Sequence, residues 1–184
     1  MSKAASQEAV VMDAAAVRGA VERIAEAIRA GNPGGDQVVL VGIQTGGVQL
    51  ARYLASELER AWGNPVPVGH LDVTMHRDDL DQRLAPRVHP TAILFDVTGK
   101  TVILVDDVLF SGRTTRAAMD ALTDLGRPRR IQLAVLVDRG HRELPIEADF
   151  IGMTLATGPV DRVDVRLAAS IEDSKVVLEK AASG

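Results

Sequence analysis

Short β-branched runs alternating with helical periods constrain this chain more than any other feature. Val17, Val21, Ile24 and Ile28 recur at helical spacing behind Asp13, a candidate N-cap, and the glycines within 31–35 break the pattern. Residues 37–43 (QVVLVGI) then make a compact apolar run of strand type. A second helix follows over 48–62, marked by Leu50, Leu54 and Leu58, and Gly63-Asn64-Pro65 separates it from a strand over 66–75. Beyond a polar interval come a strand over 101–105, a helix over 114–125 and a strand over 131–137. Two shorter strand-like pieces follow at 150–154 and 163–167. This alternation predicts an α/β fold with a central parallel sheet flanked by helices. Ligands of such sheets bind beyond the carboxyl ends of the strands. That rule points to the segments after Ile43, Met75, Val105 and Val137.

A length of 184 residues suits one domain, assigned here to 1–184. Aromatic residues make up 3% of the chain, so the core has to be aliphatic. The absence of cysteine excludes disulfides and thiolate metal sites and suits a reducing compartment. No apolar run approaches the roughly 18 residues of a membrane span, and the amino terminus lacks a continuous apolar signal. The expectation is a soluble, cytoplasmic protein with no membrane partner. A net charge of −4 supplies no general attraction to nucleic acid. The polar stretch 76–98, with Pro86, Pro90 and mixed charges but no period, has the length of a flexible lid. His70, His76 and His89 show no spacing that suggests a zinc site.

The chemistry concentrates in one segment, VILVDDVLFSGRTTRAAMDAL. Asp106 and Asp107 stand side by side at the end of an apolar run, where desolvating both carboxylates is costly. Alone, such a pair reads equally well as exposed turn acids or as a Walker-B-like metal site. Ser111-Gly112-Arg113-Thr114-Thr115 at a helix start changes the balance. Amide N–H groups and hydroxyls converge there in a manner suited to a phosphate dianion, and a glycine permits close backbone approach. Carboxylates for hydroxyls and a cradle for phosphate match the two ends of a ribose 5-phosphate. No G-x-x-x-x-G-K-[ST] element is present, which argues against a P-loop hydrolase.

This segment resembles the phosphoribosyl pyrophosphate (PRPP) motif of type I phosphoribosyltransferases. Together with GRPRRIQLAVLVDRGHRELPI and DVTMHRDDL, it is similar to the PyrR family of bifunctional pyr-operon regulators and uracil phosphoribosyltransferases. The resemblance implies the type I fold, with a lid at about 76–98 and a small hood at about 145–170 plus the amino-terminal segment. It implies formation of UMP and pyrophosphate from uracil and PRPP with Mg2+, in a homodimer or homotetramer. Asp106 and Asp107 would hold the ribose hydroxyls near Mg2+, and Ser111, Gly112, Arg113, Thr114 and Thr115 the 5-phosphate. Thr45, Gly46 and Gly47 would meet the pyrophosphate. Arg77, Asp78 and Asp79 would enter the lid, with Arg77 stabilising the leaving group. Arg139, Phe150 and Thr157 would line the base pocket. Arg23, His141 and Arg142 would be RNA contacts.

Three departures qualify the resemblance. The pyrophosphate loop of the family usually reads Thr-Arg-Gly, whereas Gly46 stands at the Arg position here, removing a charge-assisted bond of roughly 1.5–3 kcal/mol. The lid begins with His76 in place of Tyr. On the RNA side, Glu22 and Glu26 share one helix face, and Glu147 and Met153 stand where Arg and Lys are usual. Acidic groups repel phosphates, so attenuator-RNA binding is expected to be weakened or lost. Two alternatives remain open from the residues: an RNA-binding sensor of UMP and PRPP with little catalysis, and a phosphoribosyltransferase for another base.

Overall fold

The computed structural model describes residues 7–76 and 90–181. In chain order its elements are β1 (Gln7–Met12), α1 (Ala14–Gly31), β2 (Val38–Ile43), α2 (Gly46–Trp62), β3 (Val68–Leu71) and β4 (Thr101–Leu109). They continue with α3 (Arg113–Leu125), β5 (Arg130–Asp138), β6 (Phe150–Thr154), β7 (Arg162–Arg166) and β8 (Lys175–Lys180). The central sheet has the order β3-β2-β4-β5-β6, and every neighbouring pair is parallel. The parallel α/β architecture read from the sequence is therefore the observed one.

Each helix forms where its apolar period predicts. Asp13 caps α1 by accepting the Ala16 N–H at 2.9 Å, and Val17, Ala20, Val21, Ile24, Ala25 and Ile28 form its buried stripe. Helix α2 ends at Gly63, whose φ of 73° is the left-handed conformation of a helix stop. Helices α1 and α2 cover one face of the sheet, packing with Leu40, Ile103, Val105 and Leu136. Helix α3 covers the other, over Val39, Val41, Val102, Leu104 and Val135. None of the described helices is long and apolar enough to cross a membrane.

Three expectations need correction. The strand expected over 66–75 is only Val68–Leu71. Asp72 Oδ1 accepts the Thr74 N–H at 2.8 Å, an Asx turn that turns the chain into a single 3-10 turn at Thr74–His76. The strand expected to stop at Val105 runs on through both acids to Leu109. A second, antiparallel sheet in the order β1-β8-β7 includes two strands that the pattern did not reveal, β1 and β8. They pair from Gln7↔Lys180 to Met12↔Val176, so their partnership is entirely non-local.

Candidate active site

The acid pair lies inside β4 rather than beyond it. Asp106 is 7% exposed and Asp107 is half-buried. Each carboxylate accepts the N–H of the next residue: Asp107 N donates to Asp106 Oδ1 and Val108 N to Asp107 Oδ1, both at 2.9 Å. Before the pair, Ile103 and Val105 pack on the α1–α2 face and Val102 and Leu104 on the α3 face. After it, Val108 joins the α1–α2 side and Leu109 the α3 side, so the side-chain alternation slips by one residue across the acids.

The segment expected to receive phosphate follows directly. Gly112, with φ of 90°, is the N-cap of α3 and offers no side-chain cap to that helix. Its backbone is buttressed from behind. Glu143 N and Leu144 N donate to Ser111 O at 3.0 and 3.2 Å, and a Cβ on Gly112 would meet Ile146 Cβ at 3.3 Å. Arg113 turns its guanidinium to Glu143 at 2.6 Å, so its side chain ties down the buttress. Arg142 clamps the same segment. It donates to Asp138 Oδ2 at 2.6 Å, Ile146 O at 2.8 Å and Phe110 O at 3.0 Å. Burial works to raise the Asp138 pKa, but the Arg142 hydrogen bond, the Gly140 N–H and the Arg142 charge outweigh it and hold the carboxyl below its usual range.

Thr115 requires a correction. Its side chain is 3% exposed, and its hydroxyl has no hydrogen-bond partner. It lines a cavity of about 220 Å³ with Leu104, Met119, Ile131 and Ile146, beneath the helix. Helical geometry turns adjacent residues about 100° apart, so Thr114 and Thr115 cannot both face the loop. The hydroxyl of Thr115 is a core group, not a phosphate ligand.

The amino terminus of α2 forms the opposite wall. Thr45 makes no capping bond. A Cβ on Gly47 would overlap Val105 O, and one on Gly42 would collide with Val48 Cα and Gly47 O, so glycines allow the helix start to press on β4. At Gly46 the missing side chain has a specific occupant. A Cβ there would overlap Asp107 Oδ2 and Cγ and lie 2.9 Å from Asp107 Cβ. The carboxylate of Asp107 fills the place where a side chain at position 46 would begin.

Beyond β5, Arg139 is 8% exposed and donates to Thr157 Oγ1 at 3.2 Å and Gly158 O at 2.9 Å. Burial pushes its pKa down, with the Asp161 charge opposing. Its guanidinium lies 4.3 Å from the centroid of Phe110. Thr157 thus joins Arg139 as expected, but Phe150 does not. It pairs with Ala134 at the amino end of β6, where it is 7% exposed, and its ring faces Gly31. Phe110, which carries no assignment from the sequence, is the aromatic residue at this mouth. Its place between acid pair and phosphate loop was the available signal. Arg23 bonds Gly152 O at 3.0 Å and His141 bonds Thr157 O at 2.6 Å, so all three expected RNA contacts are also tied to the protein. Arg77, Asp78 and Asp79 lie outside the described residues.

The comparisons agree with this architecture. A family model described as a phosphoribosyl transferase domain matches residues 11–176. The protein named bifunctional protein PyrR from Chloroflexus aurantiacus is 54% identical over 172 residues, covering 93% of this chain and 94% of that one. The bifunctional protein PyrR of Bacillus subtilis is 52% identical over 165 residues, covering 88% and 91%. Among solved structures, a Trypanosoma cruzi hypoxanthine phosphoribosyl transferase superposes with a TM-score of 0.72 at 16% identity, covering 98% and 95%. At that identity the likeness shows the fold.

Proposed function

On the premise that the chain belongs to the phosphoribosyltransferase family, and within it to the PyrR proteins, we propose that it forms UMP and pyrophosphate from uracil and PRPP. The observation that carries this reading is the continuity of β4: one buried and one half-buried carboxylate, a left-handed glycine and a helix start whose N-cap has no side chain, supplied by eight consecutive residues, 106–113. Carboxylates accept the ribose hydroxyls, and the backbone of 111–114 receives the 5-phosphate. The sugar is thereby fixed at both ends, its C1 presented to the base. Breaking the C1–O bond places positive charge on the ribose ring, which the adjacent carboxylates stabilise. The C1–N1 bond to uracil forms as pyrophosphate leaves, and the proton from uracil N1 passes to the departing pyrophosphate.

Among the described residues no three His, Cys, Asp or Glu side chains converge as a metal cage. Asp106 and Asp107 nevertheless fit a hard cation that shares oxygen ligands with substrate. Mg2+, arriving with PRPP, supplies the positive charge that the leaving pyrophosphate requires. Selective turnover of uracil, with hypoxanthine, guanine, xanthine and orotate run alongside, tests the proposal. Preference for another base would overturn the uracil assignment.

The regulatory half carries a separate expectation. Glu22, Arg23 and Glu26 are exposed on α1, Glu26 engages Arg29 in an ion pair at 2.6 Å, and Glu147 is exposed. These acids support a weakened grip on attenuator RNA. Filter binding to pyrimidine leader RNA with UMP should show little retention at physiological salt; tight retention sinks this expectation.

A further inference from the structure

We propose that Phe110 is the base-stacking residue of this site; the inference rests on the phosphoribosyltransferase reading and deepens it. The chain contains five aromatic residues, three Phe, one Tyr and one Trp. Four of them are placed elsewhere. Tyr53 bonds Ala168 O and Ser174 Oγ, Trp62 lies against Gly35 at the amino end of the sheet, Phe95 lies against Gly69, and Phe150 is in the core. Among the Phe, Tyr and Trp side chains, stacking on the acceptor base therefore falls to Phe110.

Its setting suits that work. Phe110 directly follows β4 and directly precedes the phosphate loop, so it sits between the groups that fix the two ends of the sugar phosphate. It is 37% exposed, while Arg139 covers the ring at 4.3 Å and His141 meets it edge-on at 6.0 Å. Arg142 holds the Phe110 carbonyl at 3.0 Å. A ring backed by a buried guanidinium and fixed at its backbone is preorganised, and the cation behind it adds polarity to its interaction with a flat heterocycle. Every nucleobase has a π face, so the ring supplies affinity, while the Arg139, Thr157 and Gly158 groups are near enough to supply choice.

The test separates base from sugar phosphate. UMP, GMP and ribose 5-phosphate are titrated calorimetrically into wild type, Phe110→Ala, Phe110→Leu and Phe110→Tyr. Whichever nucleotide wild type binds best should lose at least tenfold in Phe110→Ala, and ribose 5-phosphate less than twofold. Phe110→Tyr should restore nucleotide affinity to within threefold. Phe110→Leu, which keeps apolar volume without a π face, should weaken the nucleotide alone and serves if the alanine variant does not fold. Equal loss for nucleotide and ribose 5-phosphate, or unchanged nucleotide binding, overturns the inference. A wild type that prefers GMP overturns the uracil assignment instead, and the same variants then decide the role of Phe110 on GMP.

Discussion

Helices α2 and α3 both start at the carboxyl ends of parallel strands, both open on glycine, and neither has a side-chain cap, whereas α1, away from the site, is capped by Asp13. Yet the two starts are opposite in character. The α3 start is arched around a left-handed Gly112 and supported from behind by residues 143–146. The α2 start is pressed flat against β4, and the Asp107 carboxylate stands over Gly46. The α3 start, where Arg113 N donates to the neutral hydroxyl of Ser111 at 3.3 Å, suits a phosphate dianion; the same helix end with a carboxylate beside it suits a phosphate only when a cation lies between. In the proposed reaction one local motif would meet the two halves of PRPP in different ways, with a neighbouring aspartate making the difference.

The comparison is broken most severely at Gly47. Its replacement by Ala sets a Cβ against Val105 O, a backbone atom that cannot yield without moving β4. A loss of about 3 kcal/mol in denaturant unfolding, with turnover abolished, is expected. Metal removal sharpens the contrast without mutation. Chelation with EDTA should weaken pyrophosphate binding about tenfold or more and ribose 5-phosphate less than twofold; equal sensitivity would show that the Asp107 carboxylate does not distinguish the two ends. At α3, Gly112→Ala imposes the left-handed conformation on a side chain and should cost about 1–2 kcal/mol, with weaker ribose 5-phosphate binding in calorimetry. Thr115→Val should instead raise the melting temperature, by about 1 kcal/mol of stability, because it removes a buried hydroxyl without a partner. The KM for PRPP should stay unchanged, and a large rise would return Thr115 to the phosphate site.

The smallest effect is a pH dependence in the buttress. Because the Asp138 pKa is depressed in the folded state, its stabilisation is present above the unfolded value of 3.8 and is lost as pH falls through the lower folded value. Unfolding midpoints of wild type should converge on those of Asp138→Asn as pH is lowered from 5 toward 2; a constant gap would remove the Arg142 clamp from the account.

Much of this was legible in the residues, and the failures have physical causes. Helical stripes such as Ile24–Ile28 and Leu50–Leu54–Leu58 report burial directly, and short β-branched runs locate the parallel strands. Adjacent carboxylates look like a loop, because nothing in a pattern shows that each will satisfy its neighbour's N–H inside β4. Two consecutive threonines give no sign of which hydroxyl a helix turns inward. Phe150 and Phe110 differ only in which end of the sheet they reach, a property of strand order rather than of local sequence. The strand β8 (KVVLEK) has a recognisable apolar centre, but its partner is at the other end of the described chain.

That last pairing sets a timetable for synthesis. β1 cannot be zipped to β8 until some 170 further residues have been translated, which at roughly 5–20 residues per second takes about 8–35 s. The parallel sheet with its acids and both helix starts can assemble in that interval, while the antiparallel sheet cannot. A nascent chain stalled before residue 175 would therefore display a nearly finished parallel sheet with its acid pair and an unpaired amino-terminal strand, a sticky edge that the translation of β8 conceals.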